Sequence, residues 1–133
     1  MAKVLAVLLV EDNPDDEHLS LRELRKLGLN AEVSRDGQQA LERLTGGGDL
    51  PDLVLLDLRL PKIGGVELLR RLRANEETAG LRIIALAAPD EPDDIRSTYG
   101  HLADGFLQKP VSKDALAAMV SQLGFVSLNT SVL

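Results

Sequence analysis

The chain of 133 residues has no cysteine. That excludes a disulfide framework, a thiolate metal site and a catalytic thiol, and the default compartment is the cytoplasm. Aromatic residues are almost as scarce: Tyr99, Phe106 and Phe125 make up the set, with no tryptophan. A stacking surface for bases or sugars is therefore nearly excluded. Basic excess is missing as well. The net charge of -6 argues against a nucleic-acid partner, which normally requires a basic patch. No apolar run approaches 18 residues, so no membrane helix is expected. The N-terminal run Val4–Val10 is too short for a signal peptide core plus cleavage site, and acidic residues follow it at once. What is present is ordinary for a globular protein, 44% hydrophobic and 27% charged. The length suits one domain with one core.

Three continuous apolar runs, Val4–Val10, Leu53–Leu56 and Ile83–Ala88, read as strands buried on both faces. Ala31–Ser34 and Ala103–Gln108 are shorter and mix polar with apolar residues, as edge strands do. Helical patterns lie between them. Asn13-Pro14 opens the first, with Asp15, Asp16 and Glu17 at the positive end of its dipole and Gly28 as its stop. Asp36–Leu44 is the second, ended by Gly46-Gly47-Gly48. Gly65–Asn75 is the third, Asp90–Tyr99 a short fourth, and Ser112–Leu123 the fifth. Strict β-α alternation implies a parallel sheet with helices on both faces. The expected architecture is a flavodoxin-like doubly wound α/β fold, (βα)5, with strand order 2-1-3-4-5. Ligands of such sheets sit at the carboxyl ends of the strands, where the first and third lie side by side.

Those ends carry Glu11, Asp12 and Asp57, and the fifth strand is followed by Lys109-Pro110. Two like charges about 4 Å apart repel by roughly 4 kcal/mol at an effective dielectric near 20. Three carboxylates against one ammonium therefore call for a cation. Hard oxygen ligands select Mg2+ or Ca2+ over softer metals, and one or two carboxylates with a carbonyl and waters suit Mg2+. Mg2+ in turn suggests a phosphoryl group as the other ligand. A single acid at a strand end is usually a solvated loop residue or a helix cap. Acids after two adjacent central strands, with a lysine after another, are harder to explain that way.

These residues carry a family resemblance. Leu8-Leu9-Val10-Glu11-Asp12-Asn13 resembles the opening of response-regulator receiver domains. Asp52–Pro61 followed by Gly65 resembles their phosphoacceptor segment, Lys109-Pro110 their lysine and proline, and Arg35-Asp36-Gly37 with Ala40-Leu41 a further pattern at the second helix. The resemblance spans roughly residues 3–123. It implies a mechanism in which Asp57 takes a phosphoryl group from a phosphohistidine of a sensor histidine kinase. Asp12, Asp57 and the main-chain carbonyl of Arg59 would hold Mg2+, Glu11 acting largely through water, and Lys109 would contact the phosphoryl oxygens. It also implies slow loss of phosphate to water, without turnover of a separate substrate, and usually a cis bond before Pro110.

Several positions depart from the pattern. Ala87 stands where the family usually has a switch Thr or Ser, so coupling to the Asp90–Tyr99 surface is expected to be weak. Phe106 occupies the position of an aromatic switch, or simply packs an edge strand. Gly64 replaces a common Asp, with an effect confined to the turn. Arg59 and Pro89 lie where the family tunes dephosphorylation. His18 and His101 read as surface residues, Gly46-Gly47-Gly48 as a loop without the lysine of a phosphate-binding motif, and Asp15-Asp16-Glu17 as a favourable first helical turn.

The expected organisation is a receiver over residues 1–123 and a tail over 124–133. Phe125, Val126, Leu128 and Val132 make that tail a candidate dimerisation arm, with output through protein contacts. The tail and Leu60-Pro61-Lys62 resemble single-domain regulators paired with bacterial phytochromes, many of them homodimers. The competing readings are a pseudo-receiver scaffold, favoured by Ala87, a haloacid-dehalogenase-type phosphatase, opposed by Arg59 at the position of its second Asp, and a flavodoxin, opposed by Glu11-Asp12 and the lack of aromatics.

Overall fold

A computed structural model of the chain describes residues 5–60, 62–90 and 101–124. It contains β1 (Val7–Val10), α1 (Pro14–Lys26), β2 (Ala31–Ser34), α2 (Gly37–Thr45), β3 (Leu53–Asp57), α3 (Gly65–Ala74), β4 (Arg82–Ala87), β5 (Gly105–Gln108) and α4 (Lys113–Gln122). The strands form one parallel sheet in the order β2-β1-β3-β4-β5, the doubly wound, flavodoxin-like order expected. The expected helix over Asp90–Tyr99 and the tail beyond Gly124 lie outside the described residues.

The sheet separates two apolar layers, because alternate residues of each strand point to opposite faces. On one face Leu9, Leu55, Ile84 and Leu86 meet Leu24 of α1 and Leu116 and Val120 of α4. On the other Leu8, Val10, Val54, Leu56 and Ile83 meet Ala40 and Leu44 of α2 and Leu68, Leu69 and Leu72 of α3. Most of these side chains have no exposed surface at all. Each of the Leu, Ile and Val side chains contributes about 1.5–3 kcal/mol on burial, before the entropy of ordering it is subtracted.

Several element ends move by a residue or more from the sequence pattern, for local reasons. Asp36 and Ser112 lie outside their helices as N-caps: both have extended backbone, and their side chains accept from the amides of Gln39 and Ala115. Asn13 caps α1 in the same way, its Oδ1 accepting from Asp15 N at 2.9 Å and Asp16 N at 3.0 Å. Asn75 falls just beyond α3, with extended backbone. Gly28, at φ 79°, adopts the left-handed turn that ends α1. β1 is shorter than its apolar run because the Ala6 amide bonds the Asp52 side chain. β4 stops at Ala87, which leaves Ala88 in the loop. The last strand starts at Gly105, not Ala103, while the amide of Asp104 bonds Ile83 O at 2.8 Å.

Gly65 sets the backbone at the carboxyl end of β3. A Cβ there would lie 2.6 Å from the carbonyl oxygen of Asp57 and from the Cα of Leu58. Glycine alone lets α3 begin directly against the end of β3, and that contact fixes the backbone around Asp57.

Candidate functional site

Ladder hydrogen bonds continue past the strand ends and hold the site's backbone. The amide of Glu11 donates to Ser34 O at 3.0 Å, that of Leu58 to Leu86 O at 3.2 Å, and that of Lys109 to Ala87 O at 2.9 Å. The Lys109–Pro110 peptide bond is cis. Asp57 itself is the last residue of the central β3. Glu11, Asp12, Asp57 and Lys109, four strand-end residues from three strands, thus come together at the switch point.

Lys109 is the hub. Its Nζ lies 2.8 Å from Glu11 Oε1, 2.9 Å from Asp57 Oδ2 and 3.0 Å from Asp16 Oδ2. The bonds to Asp57 and Asp16 are aligned hydrogen bonds. The contact with Glu11 is a charge pair without that alignment, so the fully buried Glu11 Oε1 lacks a hydrogen bond. Glu11 Oε2 accepts from the amide of Asn13 at 3.3 Å, and Asp57 Oδ1 from that of Arg59 at 2.9 Å.

The electrostatics arise from this crowding. Burial, reinforced by the neighbouring Asp57, pushes the Glu11 carboxyl up to about 8, against the pull of Lys109. Burial also works against the charge on Lys109, but Glu11, Asp57 and Asp16 outweigh it and hold the ammonium above the usual lysine range. Carboxylates therefore outnumber cations, and a buried carboxyl is held partly protonated.

A hard divalent cation fits this donor set. One oxygen from each of Glu11, Asp12 and Asp57 lies within 4.8 Å of the others. Asp12 is exposed at the mouth, whereas Glu11 and Asp57 are buried at the floor. The orphaned Glu11 oxygen and the excess negative charge are what Mg2+ with retained waters would relieve. Above the cluster opens a cleft of about 450 Å³, lined by Asn13, Arg59, Ala88, Pro89 and Pro110 as well as by Asp12, Asp16, Asp57 and Lys109.

Asp16 is the residue that sequence reasoning missed. It does lie in the first turn of α1 as expected, but it reaches across to Lys109. The available signal was its position one turn into a helix that starts beside the Glu11-Asp12 pair. Its neighbour Glu17 instead makes a two-pronged pair with Arg35 at 3.1 and 3.0 Å. Arg59 sits at the cleft, and its guanidinium lies 3.2 Å from Asp90. Ala87 is buried at the end of β4, and no hydroxyl side chain lines the cleft among the described residues. Phe106 is half-buried on β5 opposite Ala85, outside the cleft lining. Gly64 caps α3 without a side-chain bond, and His18 and His101 are exposed. Phe125, Val126 and Leu128 lie outside the described residues.

A doubly wound parallel domain with a carboxylate cluster and a lysine at its switch point is the class that fold and site define. Residues 7–121 match the family described as the response regulator receiver domain, and the chain belongs to that family. It is 36% identical over 123 residues to the probable methanogenesis regulatory protein FilR2 of Methanothrix harundinacea, covering 88% of this chain and 79% of that protein. Other relatives are longer: the chain spans 45% of the transcriptional regulatory protein TrcR of Mycobacterium tuberculosis, at 34% identity over 90% of itself. Among solved structures it is similar to the bacteriophytochrome response regulator AtBRR, with 32% identity, a TM-score of 0.83, and 93% and 95% of the two chains covered. The receiver domain of sensor histidine kinase PA1611 from Pseudomonas aeruginosa PAO1, solved with a magnesium ion in its active-site cleft, gives 30% identity and a TM-score of 0.79 over 90% and 97% of the chains. No described helix is long and apolar enough to cross a membrane.

Proposed function

We propose that the chain is the phosphoacceptor of a two-component relay, with Asp57 as the residue modified. The observation that carries this reading is the Asp57 carboxylate at the end of β3, 2.9 Å from Lys109 Nζ and clustered with Glu11 and Asp12. An oxygen of Asp57 bonds to the phosphorus of a phosphohistidine on a sensor histidine kinase. The P–N bond breaks, and the imidazole nitrogen keeps the electron pair. Lys109, held charged by its carboxylates, binds a phosphoryl oxygen. Asp12, Asp57 and the main-chain carbonyl of Arg59 would hold Mg2+ with Glu11 close by, and the ion would supply charge neutralisation to the transferring group. The protein contributes in-line positioning and a partly buried, rigid floor. Water later displaces phosphate from Asp57, so the chain resets itself without turning over another substrate.

The similarity to two proteins described as bacteriophytochrome response regulators supports a bacterial phytochrome as the kinase partner. With this goes a cytoplasmic receiver over 1–123 that works as a homodimer through the tail at 124–133. Light scattering on a chain ended at Leu123 tests that arm, and an unchanged mass would count against it. The test of the main reading is incubation with acetyl phosphate and Mg2+ followed by intact-mass measurement. A mass increase of one phosphoryl group, lost in Asp57→Asn, is expected; no increase in the wild type overturns it.

Ala87 favours a second reading, a receiver-shaped scaffold that signals independently of phosphorylation. The cleft offers no hydroxyl from β4 to follow the phosphoryl group. If phosphorylation drives a conformational change here, Ala87→Thr should enlarge it. Equal amide-exchange responses in both forms remove this argument, whereas no Asp57 modification and no metal-dependent shift with acetyl phosphate or beryllofluoride favour the scaffold.

A further inference from the structure

We propose that Asp16 is a positioning residue that competes with the phosphoryl group for Lys109 and so shortens the life of the phosphorylated state, a role that rests on Asp57 being the phosphoacceptor. The Lys109 ammonium has three protons, and three carboxylate oxygens, from Glu11, Asp57 and Asp16, surround it at 2.8, 2.9 and 3.0 Å. Two of its protons are committed to aligned hydrogen bonds with Asp57 and Asp16, and Glu11 holds the ammonium as a charge pair. A phosphoryl oxygen must therefore compete with these carboxylates for the ammonium, and gains its full pull when one of them lets go.

The three are not equivalent. The side chains of Glu11 and Asp57 are 0% and 5% exposed, whereas that of Asp16 is 37% exposed. Water can replace Lys109 at Asp16 but has little access to the other two. Glu11 and Asp57 also belong to the cluster that fits a cation, and Asp16 does not. Asp16 is thus the partner whose bond to Lys109 can be exchanged without dismantling the cation site. It has two effects of the same sign. It holds the ammonium back from an incoming phosphoryl oxygen, and it places a further negative charge at the cleft where that anion arrives.

Binding of beryllofluoride to the Mg2+-loaded full chain, measured by calorimetry, separates the possibilities. Asp16→Ala should bind it more tightly, by roughly five-fold for a half-exposed charge pair. Asp16→Asn, which keeps an acceptor and loses the charge, should fall between. Asp15→Ala removes a neighbouring, exposed first-turn acid, and should match the wild type. Affinity for Mg2+ alone should change less than affinity for beryllofluoride, because Asp16 lies outside the cation cluster. In a Lys109→Ala background the gain from Asp16→Ala should largely vanish. The half-life of acetyl-phosphate-labelled protein should lengthen in Asp16→Ala in parallel. Unchanged or weaker beryllofluoride binding in Asp16→Ala, with the wild type binding normally, overturns the competition alone. A gain that persists without Lys109 overturns it too, leaving a diffuse charge effect. Failure of the wild type to bind beryllofluoride at all overturns the phosphoacceptor reading and this inference with it.

Discussion

The two ends of the sheet are built on opposite principles. At the amino end of β4 and β5, Arg73 of α3 donates to Leu102 O, Ala79 O and Leu81 O at 2.6–2.9 Å and to Asp104 Oδ2 at 2.9 Å. Asp104 in turn accepts from the amide of Ile83 at 2.7 Å. Close by, the fully buried Thr78 hydroxyl donates to Leu72 O at 2.6 Å. One cation meets one anion there, and loop carbonyls take the remaining donors. At the carboxyl end, one cation meets several carboxylates, and a buried oxygen of Glu11 is left without a hydrogen bond. Satisfied polar networks lock a structure; crowded ones keep electrostatic energy in reserve for a ligand to release. The difference marks the carboxyl end as the one where a bound cation would relieve charge.

Substitutions at the two ends should therefore move stability in opposite directions. The largest effect is expected from Arg73→Leu. It removes the pair with Asp104 and leaves the part-buried Leu102 and Leu81 carbonyls without their donor, and should cost about 2 kcal/mol in urea unfolding. A loss under 1 kcal/mol would show that the amino end is not the lock it resembles. Mg2+ should act next. At about ten times its Kd it should stabilise the wild type by ~1.4 kcal/mol through binding to the folded state alone, and should do far less for Asp12→Asn. Equal stabilisation of both would place the ion elsewhere.

Asp57→Asn should abolish phosphoryl uptake yet stabilise the cation-free fold, by about 1 kcal/mol, because it removes one of the crowded charges. Destabilisation would mean that the pair with Lys109 outweighs the repulsion. Thr78→Val should cost about 1 kcal/mol, a single buried hydrogen bond.

The smallest effect concerns acid. The Asp36 carboxyl is held below the usual aspartate range by the Gln39 amide it caps, with Lys62 adding to this against a burial penalty. Its contribution to stability is thus present above its unfolded pKa and is lost as pH falls through the lower folded value. Asp36→Asn, which still caps, should flatten the acid limb of the stability profile. An unchanged limb would assign acid sensitivity to other groups.

The legible parts of the fold were those encoded in short stretches of chain. Continuous apolar runs announced β1, β3 and β4, and Ala31–Ser34 emerged with the bounds its pattern implied. Asn13-Pro14 and Gly28 marked both ends of α1, because caps and left-handed turns are local chemistry. The site was half legible. Glu11, Asp12, Asp57 and Lys109 were visible because each lies at a strand end, and the alternation of elements brings those ends together. Asp16 was not. A helical acid beside a cap has a sufficient local explanation, and its contact with a residue 93 positions away exists only once β5 is laid beside β4.

The sequence by itself determined the order of elements, the direction of the sheet and the kind of charge at its carboxyl end, since hydrophobic period and strand-end residues are properties of neighbouring positions. Only the tertiary structure decided which carboxylates surround Lys109 and that the Glu11 oxygen beside it is left without a hydrogen bond. It also decided that Arg73 ties the opposite end together. Those outcomes depend on distances between residues far apart in the chain, and on burial, which raises the cost of every unpaired charge.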